Sequence, residues 1–203
     1  INFRAGYSKT LARPEFRELA SFTYFDFVAN ELVQGNPRLT RSLINNFDLR
    51  FENFAGAGEL YAVGLFYKDF KDPIEQILVA SSSFEPTRSY RNAMSAITYG
   101  IELEVRKSLG FVSSWFNEFS VVGNVALMKS NIQFEETNNS GETFQETERP
   151  LQGQAEYILN FGLYYDDFES GLNTSIVYNK VGQQINKVGF NGLGNVIEMP
   201  KDL

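Results

Sequence analysis

The sequence predicts an all-β chain, an antiparallel up-and-down meander whose strands form the wall of a membrane-spanning barrel. Three observations carry that expectation. Connections between strands are by turns long and short, several strands run well beyond the five or six residues usual in soluble sheets, and one strand face holds charges that a dry core would not accept. Short links fall at Ala55-Gly56-Ala57-Gly58 and Asp166-Asp167-Phe168-Glu169-Ser170-Gly171, with a slightly longer one at 110–118. Long polar stretches occupy 13–42, 74–97 and 132–152. Successive connections of a meander lie at opposite ends of the sheet. Alternating lengths therefore describe one trimmed end and one elaborated end, as in outer-membrane barrels.

Strand phase supports this reading segment by segment, because successive side chains of a strand point to opposite faces. At the start, Phe3, Ala5, Tyr7 and Leu11 oppose Arg4, Gly6, Ser8 and Thr10. Over 43–54, Leu43, Asn45, Phe47, Leu49, Phe51 and Asn53 oppose Ile44, Asn46, Asp48, Arg50, Glu52 and Phe54, so one face is mainly apolar and the other carries charge of both signs. The next strand sets Tyr61, Val63, Leu65 and Tyr67 against Leu60, Ala62 and Phe66, which leaves it without a clear polar face. Over 98–109 the contrast is sharpest, with Tyr99, Ile101, Leu103 and Val105 against Gly100, Glu102, Glu104 and Arg106. Over 119–131, Phe119, Val121, Val125 and Leu127 oppose Ser120, Asn124 and Ser130, with Val122 and Met128 spoiling the polar side. Tyr157, Leu159, Phe161, Leu163 and Tyr165 oppose Asn160, Gly162 and Tyr164, and over 172–183 Leu172, Thr174, Ile176 and Tyr178 oppose Asn173, Ser175 and Asn179. That makes about seven strands, long enough for the roughly 9–11 tilted residues that cross a bilayer.

The expected inward set is Arg4, Asp48, Arg50, Glu52, Glu102, Glu104 and Arg106, which suits a wet or plug-filled lumen. Tyrosine and phenylalanine recur near strand ends, at Phe3, Tyr7, Phe54, Tyr61, Tyr67, Tyr99, Phe119, Tyr157, Tyr165 and Tyr178, as in the aromatic girdles of a barrel. A soluble meander with one solvated face is the plain alternative, since a half-buried soluble strand alternates in the same way.

Composition narrows the function. The chain has no Cys and no His, which removes disulfides, thiolate metal sites, imidazole bases and histidine-containing triads within these residues. No metal site and no cofactor is expected. A net charge of -7 argues against nucleic acid as a partner. No apolar run approaches the roughly 20 residues of a membrane helix, and a mean hydropathy of -0.25 is compatible with alternating barrel strands. Glu102 and Glu104 are spaced as a carboxylate pair, but Arg106 on the same face makes lumen electrostatics the better reading than glycoside hydrolysis. No catalytic residue is expected.

Four motifs in order carry a resemblance. Ser8-Lys9-Thr10-Leu11-Ala12-Arg13-Pro14 is similar to an "S-x-T-x-A-R-P" strand exit. Gly35-Asn36-Pro37-Arg38-Leu39, followed by Asn46-Phe47-Asp48-Leu49-Arg50-Phe51-Glu52, resembles "G-N-P-x-L … N-x-D-L-x-x-E". Phe66-Tyr67-Lys68-Asp69-Phe70-Lys71-Asp72-Pro73-Ile74-Glu75 resembles "F-Y-K-x-F-x-x-P-I-E", and Gly100-Ile101-Glu102-Leu103-Glu104 resembles "G-x-E-x-E". Together they resemble the barrel of TonB-dependent outer-membrane receptors; they lie in the first half of the chain, and the second half resembles it in strand rhythm. Local chemistry agrees: Pro14 and Pro73 end strands because proline cannot donate to a ladder, and Gly35-Asn36-Pro37 is turn chemistry.

The resemblance implies a barrel of roughly 22 strands closed by a plug, with 1–203 as a late, partial section of wall lacking that plug. It also implies a bacterial outer-membrane location and TonB-energised uptake of a scarce ligand, whether a siderophore chelate, a glycan or another nutrient. Membrane lipid, the TonB complex acting through the plug-bearing N-terminal part, the imported ligand and a surface lipoprotein are the implied partners. The long connections would face outward, which makes Arg17, Tyr24, Asn36, Arg88, Tyr90 and Arg91 the candidate ligand-binding residues. A non-transporting β-scaffold, such as an adhesin, a secretion-associated barrel or a soluble binding sheet, is the rival from another class, and an enzyme is third.

Overall fold

A computed structural model describes residues 1–79, 87–134, 148–187 and 196–198. Its elements in chain order are β1 (Asn2–Ala12), α1 (Phe16–Leu19), β2 (Thr23–Asp26), β3 (Glu31–Gln34), β4 (Ser42–Gly56), β5 (Glu59–Lys71), β6 (Ile74–Val79), β7 (Thr87–Asn92), β8 (Ser95–Ser108), a 3-10 turn (Ser114–Phe116), β9 (Phe119–Gln133), β10 (Glu148–Arg149), β11 (Tyr157–Asp167), β12 (Leu172–Val181), β13 (Gln184–Lys187) and β14 (Val196–Glu198). The main sheet runs β1-β4-β5-β8-β9-β11-β12, with β10 added beside β9. Its neighbours pair antiparallel. The sheet is an open, up-and-down meander, and β1 and β12 are its two edges.

Tight turns join β4 to β5 and β11 to β12 because Gly58 and Gly171 take positive φ, 74° and 71°, where a side chain would be strained. At the other end of the sheet, the connections hold structure of their own. The polar stretches 13–42 and 74–97 contain α1, β2, β3, β6 and β7, and four of these strands make a second sheet ordered β2-β3-β7-β6. The strands of these stretches are only 4–6 residues long; β2 pairs with β3 and β6 with β7 locally, and the two hairpins are joined by β3 and β7, far apart in sequence. Residues 80–86 and 135–147 of the expected long connections lie outside the described residues, as does the end of the chain after Glu198.

Register aligns apolar side chains into continuous rows on one face of the main sheet. One row reads Phe3, Phe51, Val63, Leu103, Val125 and Leu159. A second reads Tyr7, Phe47, Tyr67 and Tyr99, with the Tyr7 and Phe47 rings 4.9 Å apart and those of Phe47 and Tyr67 6.3 Å apart. Toward the tight-turn end, the Phe119 and Tyr165 rings pack 4.8 Å apart, tilted by 50°. From the Tyr99 row to the Phe119 level is about ten residues, roughly 33 Å of strand. At a barrel tilt near 40° this spans roughly 25 Å, the height of a lipid-facing band. No second layer covers this face among the described residues: Phe3 is 69% exposed, Tyr7 62% and Leu65 49%. Monomeric soluble proteins rarely expose so large a contiguous apolar surface.

Buried apolar clusters lie elsewhere. Ala93, Ala96, Ile132 and Phe134, with Phe70 and Leu151, form one cluster; Val33, Leu39 and Tyr90, with Leu19, Tyr24 and Ile74, form the other. Phe70, Ala96 and Ile132 share a cross-strand row on the face opposite the apolar bands. The long connections thus fold over the polar face and pack on its upper rim.

Candidate functional site

The polar face carries an ordered charge network. Arg50 places Nε 2.8 Å from Glu52 Oε1 and Nη2 2.7 Å from Glu104 Oε2, while Arg4 Nη2 lies 3.1 Å from Glu52 Oε2. Arg50 and Glu104 stand on β4 and β8, with β5 between them. The bridge forms because β5 puts Gly64 opposite Arg50 and Ala62 opposite Glu52 and Glu104. This is why β5 shows no polar face in the sequence: its small residues make room for charges rooted on its neighbours. In the same cross-strand row Asn124, Asn160 and Asn179 continue the polar line. Asn160 Nδ2 donates to Asn124 Oδ1 at 2.6 Å, and Asn179 Nδ2 donates to Asn160 Oδ1.

Of the expected inward residues, Arg4, Arg50, Glu52 and Glu104 are brought together in this network. Register puts Asp48, Glu102 and Arg106 on the same face, opposite Phe66, Gly64 and Leu60. Strand phase put Asn124, Asn160 and Asn179 on the polar face, but their alignment into one hydrogen-bonded row depends on cross-strand register that no single strand carries.

Above this face, the connections are tied to one another by side chains that saturate backbone groups. Asn36 Nδ2 donates to Tyr90 O at 2.9 Å, and Asn36 Oδ1 accepts from Arg38 N at 3.0 Å. Asn92 accepts from Thr40 N at 2.8 Å and donates to Thr40 O and Asp72 O. Arg88 bridges Asp26 at 2.9 Å and Glu31 at 3.2 Å. Amide groups of Ala29 and Val28, aided by Arg88, hold the Asp26 carboxyl below its ordinary range. The Arg91 guanidinium stacks 4.0 Å over the Phe134 ring, and Arg149 lies 5.1 Å from the same ring. Burial, together with the nearby Arg149 charge, pulls the Arg91 guanidinium down to about 10. Arg149 Nη2 meets Glu75 Oε2 at 2.9 Å, and burial raises the Glu75 carboxyl despite that partner.

A polar cleft of about 480 Å³ opens between these connections, lined by Glu18, Ile74, Glu75, Gln76, Arg88, Tyr90, Gln152, Gly153, Gln184, Ile185 and Asn186. Gln152 Nε2 donates to Asn186 O at 2.6 Å and approaches Gln76 Oε1 at 3.4 Å, so amides from three separate connections meet here. Of the expected ligand-binding residues, Arg88 and Tyr90 line the cleft. Asn36 and Arg91 are engaged in packing between connections, Tyr24 packs on the Val33 cluster, and Arg17 is exposed on α1. The cleft's carboxylates and amides were missed, since nothing in the local sequence distinguishes them from solvated loop residues. Among the described residues, no group of three or more acidic side chains is arranged to hold a metal ion.

The family model described as TonB dependent receptor-like, beta-barrel matches residues 1–195. No curated protein matches. Among solved structures, a variant of the ferric enterobactin receptor PfeA of Pseudomonas aeruginosa, in complex with enterobactin, superposes with a TM-score of 0.61 at 16% identity, covering 98% of this chain and 29% of that one. The siderophore receptor PirA of the same organism gives 0.57 at 19% identity, covering 89% and 27%. PirA of Acinetobacter baumannii gives 0.56 at 17% identity, covering 95% and 28%. The chain therefore spans less than a third of the length of these structures, and at such identity the likeness concerns the fold alone.

Proposed function

Because the chain belongs to the TonB-dependent receptor-like β-barrel family, we propose that residues 1–203 form part of the wall and external cap of an outer-membrane receptor that imports a scarce ligand. The observation that carries this reading is the division of one sheet between an uncovered apolar face and a charged face roofed by the long connections. The apolar face then meets lipid, the face of Arg50 and Glu104 lines the lumen, and the polar cleft lies in the path from outside to lumen. Ligand contacts fall to Arg88, Tyr90, Glu75, Gln76 and Gln152, on the cleft wall.

Import in this reading draws energy from the TonB complex through a plug, so release into the lumen is gated rather than diffusive. The solved neighbours include siderophore receptors, which makes ferric siderophores the first ligands to test, with glycans and other nutrients after them. A surface lipoprotein over the mouth belongs to the same proposal. The wall contributes position and electrostatics, and no covalent chemistry.

The test is uptake of radiolabelled ferric siderophores and of labelled oligosaccharides by a deletion strain carrying the full-length receptor. Accumulation that needs the receptor and stops when the proton gradient is collapsed is expected. Receptor-dependent entry that continues without the gradient would refute energised import.

A further inference from the structure

We propose that the polar cleft, read above as part of the import path, takes a neutral oligosaccharide and excludes anionic ferric chelates; the assignment rests on that reading. At about 480 Å³ the cleft has the size of a small-molecule site.

The charged groups of the cleft are already committed to protein partners. Glu18 Oε2 accepts from Glu15 N at 2.9 Å, closing the turn of α1. Glu75 meets the buried Arg149 at 2.9 Å. Arg88, the one cation among the described residues that line the cleft, reaches both Asp26 and Glu31. A multiply anionic chelate entering here would shed water and meet carboxylates, with no uncommitted cation on this wall to offset either. Residues 80–86, 135–147 and 188–195, outside the described residues, contain five Glu and no Lys or Arg. What charge they bring is negative, which opposes the approach of an anion.

In place of charge the cleft offers carboxamides. Gln76 comes from β6, Gln152 from the link between β10 and β11, and Gln184 and Asn186 from β13. Each carboxamide sets an acceptor oxygen beside a donor nitrogen. Neighbouring hydroxyls of a sugar ring answer that pairing, one giving its proton and the next receiving one. Gln152 Nε2 holds Asn186 O at 2.6 Å and approaches Gln76 Oε1 at 3.4 Å, so part of the polar wall is ordered before a ligand arrives, which lowers the cost of binding.

Peptides share the amide chemistry but bring apolar side chains as well. The apolar groups of this wall are already packed: Tyr90 is 8% exposed and Ile185 9%, and Ile74 joins Tyr90 on the Val33 cluster. A ligand whose rim is hydroxyl suits such a wall better than one with apolar side chains to bury.

The experiment is titration calorimetry on the full-length receptor in lauryldimethylamine oxide micelles, whose headgroup is not a sugar. The probes are neutral gluco-, manno- and xylo-oligosaccharides, oligogalacturonate as their carboxylated counterpart, a ferric tris-catecholate chelate and uncharged tetrapeptides. A neutral oligosaccharide is expected to bind, with an affinity that changes less than about twofold when ionic strength is raised tenfold. Gln76→Ala and Gln184→Ala are each expected to weaken it at least fivefold at an unchanged unfolding midpoint. Preference for the chelate, the oligogalacturonate or the peptides would overturn the assignment. So would a panel in which nothing binds, or variants that bind the sugar as the parent does. Gradient-dependent uptake of the chelate by the same receptor would overturn the sugar assignment and leave energised import standing. Sugar binding at the cleft, with uptake indifferent to the gradient, would uphold the assignment and overturn energised import.

Discussion

Arg50 and Glu104 stand on strands that are not neighbours, yet Arg50 Nη2 lies 2.7 Å from Glu104 Oε2. The contact crosses β5 over Gly64, whose missing side chain is what leaves the path open. A Cβ at Gly64 would meet Glu102 atoms at 3.5 Å, an ordinary contact. Gly64→Ala is therefore expected to leave stability nearly unchanged. Gly64→Phe would fill the path, separate the pair and cost about 1–3 kcal/mol through overpacking. Denaturant unfolding of the full-length receptor in micelles distinguishes the two variants, and equal stability for both would contradict the crossing.

The Arg149–Glu75 pair ties the cap together, joining residues 74 positions apart with side chains only 4% and 8% exposed. Removing one partner from so buried a pair leaves a stranded charge, a cost of about 3–5 kcal/mol. Arg149→Met is expected to lower the opening free energy of the β6 and β7 amides by that order in hydrogen exchange. Glu75→Leu combined with Arg149→Met should recover most of it, because both members of the ion pair are then gone. A double variant as labile as the single one would remove the pair from its assigned role.

Burial raises the Glu75 carboxyl above its ordinary value of 4.5. Between that value and the higher folded one, the folded cap holds a proton that the open chain has released. Its contribution is full below pH 4.5 and is lost as pH rises through the folded pKa. Hydrogen exchange in β6 and β7, corrected for the intrinsic rate, is expected to report falling protection over that window. Glu75→Gln should flatten the curve, and Arg149→Met should extend the fall to higher pH because the charged form loses its partner. A slope unchanged in Glu75→Gln would assign the dependence to another group.

Arginine substitutions separate the faces by cost. Leu103→Arg puts a charge in the middle of the apolar band, where a barrel wall loses about 2–4 kcal/mol. Ala126→Arg lies on the other face, directly opposite Glu102 in the register, and gains a carboxylate partner. Folding titrations in vesicles should show the first strongly impaired and the second close to the parent. The opposite order would invert the faces.

The parts of this fold that were legible in the sequence are those in which one strand carries its own contrast. Over 98–109, Tyr99, Ile101, Leu103 and Val105 against Glu102, Glu104 and Arg106 were enough to place β8 and its two faces. β5 was legible as a strand but not in its purpose, because Ala62 and Gly64 acquire meaning only beside Glu52, Arg50 and Glu104. The cap was least legible. β2, β3, β6 and β7 are short, and contacts such as Asn92 to Thr40 or Gln152 to Gln76 join residues far apart in sequence. Hence Arg88 and Tyr90 stood out in the sequence as conspicuous side chains, whereas the amides that line the same cleft did not.

The central claim, that one face of this sheet meets lipid and the other a polar lumen, is tested most directly by spin labels placed singly at 101 to 105 along β8 of the full-length receptor in vesicles. Oxygen, which concentrates in the bilayer, and a water-soluble nickel chelate report which way each label faces. The account predicts an alternation of period two, with 101, 103 and 105 relaxed by oxygen, and 102 and 104 shielded from it. Reversed phase, or chelate access at 101, 103 and 105, would contradict it.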